Sequence, residues 1–63
     1  MKVMILGASG IIGQHLRLCV PEGIEPIWCR HRPDPYHESI NLTDFLLLED
    51  FLNKHRPDVI VNL

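Results

Sequence analysis

Glycines at positions 7, 10 and 13 recur every third residue, between the apolar run Val3-Met4-Ile5-Leu6 and the pair Ile11-Ile12. Each has a distinct use. A glycine at the end of a strand can turn the chain through φ > 0, having no Cβ to clash. A second lets backbone come close to a ligand, and a third lets the following helix lie tightly on the sheet. The first N–H groups of that helix have no acceptor within it and sit at the positive end of its dipole. Such a strand–turn–helix suits a pyrophosphate, with Gly7, Ser9, Gly10, Ile11, Ile12 and Gly13 around it. The spacing is G-x-x-G-x-x-G, with Ala8 where the commoner G-x-G-x-x-G has its second glycine. A bare glycine triplet also fits a tight turn with no ligand. The strand before it and the amphipathic segment after it favour binding.

Other chemistry is sparse. His15, His31, His37 and His55 show no H-x-x-x-H spacing, and Cys29-x-His31 alone is too little for zinc. Ser9 lacks the G-x-S-x-G context of a nucleophile elbow. Glu49-Asp50 reads as a solvated helix face. Cys19 and Cys29, without C-x-x-C or a secretory leader, read as reduced thiols in a cytoplasmic protein. Six basic and eight acidic residues give a net charge of −2, which offers no surface for nucleic acid. No apolar run is long enough for a bilayer. The 63 residues allow one small domain, and a domain of that size buries only about 60% of its unfolded surface.

The elements that would position the glycines follow from pattern. Val3-Met4-Ile5-Leu6 is continuous and apolar, as a strand buried on both faces of a parallel sheet must be. Residues 11–20 form a helix with Ile12, Leu16, Cys19 and Val20 inward, ended by Pro21. Residues 24–29 are a second strand, with Pro26 near its start where a missing N–H is tolerated. A proline-stiffened loop, 30–35, leads to a short strand or extended segment at 39–42. Thr43 is placed to cap a helix over 45–55, with Asp44 in its first turn. That helix would bury Phe45, Leu48, Phe51 and Leu52, and a last strand follows at 59–63. The class is α/β: β-α-β-β-α-β, the N-terminal half of a Rossmann-type doubly wound parallel sheet in the order 3-2-1-4. The second-to-third connection, about ten residues without a helix, is short for a parallel crossover and is expected to be a bare loop. An apolar strand ending at Leu63 would leave an exposed edge. Residues 1–63 are therefore expected to be part of a longer NAD(P)-binding domain, or the ordered part of one, and to self-associate through that edge if truncated.

Gly7-Ala8-Ser9-Gly10-Ile11-Ile12-Gly13, Asn41-Leu42-Thr43-Asp44 and Arg56-Pro57-Asp58-Val59-Ile60-Val61-Asn62 together carry a resemblance. The chain resembles the first quarter of an extended short-chain dehydrogenase/reductase, most of all the dTDP-4-dehydrorhamnose reductase-like and sugar-nucleotide epimerase-like branches. The superfamily's other large branch has G-x-x-x-G-x-G, which this spacing excludes. The resemblance implies that Gly10, Ile11 and Ile12 offer backbone to the pyrophosphate. Residues just after the second strand would choose the cofactor. An acid there binds the ribose 2′-hydroxyl, whereas arginine pairs with a 2′-phosphate. Arg30 and Arg32, with no acid until Asp34, favour NADP and leave NAD possible. Two solvated loop arginines are the plainer alternative. Asn41 and Leu42 stand where the family has Asp and an apolar residue beside the adenine, and Asn can both accept and donate there. Asn62 begins the segment under the nicotinamide ribose, or simply caps backbone at a strand end.

The family's reductases and epimerases work with a Tyr-x-x-x-Lys pair and a Ser or Thr. The one tyrosine here is Tyr36, and Ile40 stands four residues on. These residues alone would not turn over substrate. The resemblance implies a parent enzyme that moves hydride between nicotinamide and a keto carbon of a nucleotide sugar. A non-catalytic NADP-binding subunit of the same fold is the second expectation, and a nucleotide-sugar epimerase or dehydratase another.

Overall fold

The computed structural model describes residues 1–63. Four strands, β1 (Lys2–Leu6), β2 (Glu25–Arg30), β3 (Glu38–Ser39) and β4 (Val59–Asn62), form one sheet in the order β3-β2-β1-β4. All three pairings are parallel. Between them run the helices α1 (Ile11–Leu16), which tightens into a 3₁₀ turn over Arg17–Cys19, and α2 (Phe45–His55). The α/β class and the strand order are those expected from the sequence. No helix is long and apolar enough to cross a membrane.

β1 is central because it has a partner on each side, which is why its run is apolar at every position. Successive side chains alternate between faces. Met4 and Leu6 join Cys29 and Ile40 in one cluster, on which Leu48, Phe51 and Leu52 of α2 pack. Val3 and Ile5 join Ala8 in the other, against Ile24, Trp28 and Val61. α1 lies on this second face, with Gly13 against Ala8 and the Arg17 guanidinium 4.7 Å from the centre of the Trp28 ring.

Several expectations shift. Helix 1 is α-helical only to Leu16, and Val20 is already extended ahead of Pro21. Ile12 and Cys19, expected inward, are exposed. Gly13 makes the closest contact with the sheet, and Ile12 lies about 100° around the helix from it. β2 begins one residue late. The Glu25 N–H donates to Met1 O, so the missing N–H of Pro26 falls on the outer side, before β3 pairs. β3 has two residues, at 38–39 rather than 39–42, because the chain bends into a turn in which the Asp44 N–H donates to Asn41 O. The cap of α2 is Asp44, not Thr43. The Asp44 Oδ1 accepts from the Leu47 N–H at 3.2 Å, whereas the Thr43 hydroxyl is already given to Asn41 Oδ1 at 2.7 Å. A cap of this kind stabilises a helix by about 1 kcal/mol. Phe45, expected inward, is exposed, because the cluster beneath α2 meets it at Leu48, Phe51 and Leu52.

A Cβ added at Gly13 would stand 2.6 Å from both Cα and the carbonyl carbon of Ala8, which no side-chain movement relieves. At Gly10 an added Cβ would meet only the Gly7 carbonyl oxygen, at 3.4 Å. Urea unfolding of Gly13→Ala should therefore show a loss of about 3 kcal/mol, against about 1 kcal/mol for Gly10→Ala, a capping position. Equal losses would contradict the close helix–sheet contact.

Candidate functional site

The glycine turn is built by local sterics and two backbone bonds. Gly7 ends β1 with φ +72°, a conformation glycine adopts freely. The Ala8 N–H donates to Cys29 O at 3.0 Å, and this ties the turn to the end of β2. The Gly10 N–H donates to Gly7 O at 3.2 Å, and Gly10 then caps α1 with extended backbone and no side-chain bond. The first N–H groups of α1 are thus left without side-chain partners.

Around this turn the carboxyl ends of all four strands enclose a crevice. One cavity of about 440 Å³ takes Leu6 and Gly7 from β1, Arg30 and His31 from β2, residues 40–43 after β3, and Asn62 and Leu63 from β4. A second, of about 520 Å³, adjoins it at Gly7 and Leu63 and is walled by Gly10, Ile11, Ile12 and Gly13. No Asp or Glu side chain lines either one. The crevice lies where the strand order reverses, between β1 and β4, which is where open α/β sheets bind ligands. Among the anticipated residues, Gly7, Gly10, Ile11, Ile12, Gly13, Arg30, Asn41, Leu42 and Asn62 line it. Ser9 and Arg32 do not. Ser9 is half-buried in the turn, its carbonyl accepting from Gln14 Nε2 at 3.1 Å, and Arg32 is exposed. His31 and Thr43 line the crevice without having been anticipated; only their sequence neighbours pointed there.

The dinucleotide can be tested against this chemistry. A Cβ at Gly10 would meet only the Gly7 carbonyl oxygen, at 3.4 Å, so the turn is open on that side and leaves room for close approach by a ligand. A donor-rich crevice without Asp or Glu side chains also suits polyanionic groups. The residues fit such a cofactor.

The side chains at the β2–β3 corner hold one another. Arg30 Nη1 donates to Asp34 Oδ2 at 2.6 Å, while Arg30 Nε is buried without a partner. Asp34 Oδ1 accepts from the Tyr36 and His37 N–H groups, both at 2.8 Å, and stands 2.9 Å from His37 Nδ1. Asp34 is therefore spent on its own loop. Asn41 is partly spent as well. Its Oδ1 accepts from the Thr43 N–H at 3.0 Å as well as from the hydroxyl, which leaves Nδ2 as what it has to offer. The Asn62 side chain makes no bond to backbone. Tyr36 lies apart, at a cavity of about 290 Å³ on the outer edge of β2. The Cys29 thiol is buried; burial, and then the charge of Glu38, push its pKa up to about 11.

A glycine-turned crevice at the carboxyl ends of parallel strands defines a nucleotide-binding α/β protein. Residues 3–63 match the model of the NAD dependent epimerase/dehydratase family, and the chain belongs to that family, whose cofactor is a nicotinamide dinucleotide. No curated protein and no solved structure matches it.

Partial burial works against the ionised form of Asp34, but the bonds from His37, Arg30 and the Tyr36 N–H, with the charge of His37, outweigh it. They hold the carboxyl well below the usual carboxylate range. Its ordinary value is 3.8. A lowered folded-state pKa means the stabilisation is complete above the unfolded value and is lost as pH falls through the folded one. Wild type should therefore melt above Asp34→Asn at pH 6, and the gap should close as pH drops below about 3.8. A gap that persists into strong acid would contradict the assigned bonds.

Proposed function

We propose that residues 1–63 are the cofactor-binding portion of a larger NADP-preferring oxidoreductase acting on a nucleotide sugar, in the manner of dTDP-4-dehydrorhamnose reductase. The observation that carries this is the crevice at the strand ends: a glycine turn on one side and Arg30, with no available Asp or Glu side chain, on the other. Gly10, Ile11 and Ile12 take the pyrophosphate, with Gly7, Ser9 and Gly13 shaping the turn. Leu42 and Asn41 Nδ2 face the adenine, and Asn62 lies under the nicotinamide ribose. NADP is favoured over NAD because the first acid after β2, Asp34, has its oxygens taken and cannot serve a ribose 2′-hydroxyl. Arg30 and Arg32 supply positive charge for a 2′-phosphate.

The bound cofactor supplies hydride to a sugar keto carbon. The proton donor for that step comes from residues outside this chain. Val59, Ile60 and Leu63 are exposed beside β4, as are Ile11 and Ile12 of α1, and further strands and helices of the enzyme are what would cover them. Alone, the segment would self-associate there. The free thiols of Cys19 and Cys29 fit a reducing, cytoplasmic setting. The family match also favours a second reading, an epimerase or dehydratase that keeps the dinucleotide bound and returns its hydride.

NADPH oxidation by the whole enzyme with a keto-sugar nucleotide tests the first reading. Net oxidation supports a reductase, and product formation without net oxidation supports the second. For the cofactor, Arg30→Ala/Arg32→Ala should weaken NADP binding roughly 10-fold or more and leave NAD binding nearly unchanged. Equal losses in calorimetric titration would rule out the two arginines as the 2′-phosphate site.

A further inference from the structure

We propose that Asp34 sets how strongly the site discriminates NADP from NAD, by keeping for itself the part of the Arg30 guanidinium that a 2′-phosphate would use. The proposal rests on the dinucleotide reading above and adds a specificity-determining residue to it.

Arginine recognises phosphate best through a fork, two N–H groups on one edge of the guanidinium. Arg30 has part of its guanidinium already committed. Its Nη1 is bound to Asp34 Oδ2 at 2.6 Å, which takes one of the two N–H groups on that nitrogen. Its Nε is buried without an acceptor, which disables the edge that includes it. What remains are the terminal N–H groups that Asp34 leaves free, on a residue that shares the crevice wall with Gly7, Asn41 and Leu42.

Charge acts in the same direction. A carboxylate in contact with the guanidinium offsets the attraction that a phosphate dianion would feel, and a 2′-hydroxyl loses almost nothing by it. Asp34 therefore acts selectively against NADP. Nor does it swing aside easily. The Tyr36 and His37 N–H groups hold Oδ1 at 2.8 Å, and the His37 ring lies 2.9 Å from the same oxygen. Pro33 and Pro35 stiffen the chain on either side. The acid is fixed by backbone whichever cofactor arrives, so NADP is selected through exposed Arg32 and the Arg30 donors that Asp34 leaves free.

The test is calorimetric titration of the whole enzyme with NADP and, separately, NAD, for wild type, Asp34→Asn and Asp34→Ser. Both replacements keep an oxygen that can accept from the Tyr36 and His37 N–H groups. NAD needs the same crevice but no 2′ cation, so its binding reports folding in each variant. The ratio of the NAD dissociation constant to that of NADP should rise about 3- to 10-fold in Asp34→Asn. Most of that rise should vanish in an Arg30→Ala background. Should Asp34→Asn lose NAD binding, Asp34→Ser is read in the same way. An unchanged or falling ratio overturns the proposal, as does an undiminished rise without Arg30. Wild type binding neither nucleotide overturns the dinucleotide reading and the proposal together; wild type binding both, with an unmoved ratio, overturns the proposal alone.

Discussion

The contact between Gly13 and the backbone of Ala8 is the constraint on which the rest of the molecule depends. Ala8 is fully buried, its N–H is bonded to the end of β2, and its main chain occupies the space where a side chain on residue 13 would go. α1 can approach the sheet this closely only at a residue without Cβ. That one approach fixes where the helix begins, and so where the turn between Gly7 and Gly10 is held. It also decides what α1 shows outward. With Gly13 as the inward point, Ile11 and Ile12 fall beside the crevice rather than beneath the helix. A six-residue helix with two exposed isoleucines has little hydrophobic reason to form on its own. It forms because its first turn is pinned.

Features governed by short-range sterics and by period were legible in the sequence. The apolar run at β1 gave a doubly flanked strand, and the glycine spacing gave the turn. The alternation of elements gave the sheet order. Features decided by competition between near-equal local choices were not. Thr43 and Asp44 are both good caps; the choice fell to Asp44 because Asn41 one turn earlier had already taken the Thr43 hydroxyl. The same turn cut β3 to two residues. Phe45 has the spacing of a core residue, yet the cluster it would join ends at Leu48, and periodicity says nothing of where a neighbouring layer stops. The candidate site divides along the same line. Gly7, Gly10 and Gly13 were readable from spacing, and the engagement of Arg30 by Asp34 was not. That pair depends on how a loop with prolines at 33 and 35 folds back, and no hydrophobic pattern encodes it.

The two ends of the crevice consequently rest on different physics. At the glycine turn the groups on offer are backbone N–H donors, placed by φ, by the bond from Ala8 to Cys29 O, and by the missing Cβ of Gly13. A side chain at Gly13 would alter the fold before it altered any ligand. At the β2–β3 corner the groups on offer are side chains, Arg30 and Asn41, each already sharing atoms with a neighbour. Substitution at that corner redistributes hydrogen bonds on the surface and leaves both hydrophobic clusters untouched, apart from the Ile40 position that closes one of them. On the proposed reading, the affinity for a dinucleotide rests on what the chain must do to fold, whereas the choice between two dinucleotides would rest on a few exposed or half-buried charges. Such charges are held by bonds that are individually weak against water. Discrimination at the 2′ position, as proposed, could therefore change without cost to the sheet, because the groups offered at the glycine turn are backbone and those offered at the β2–β3 corner are side chains.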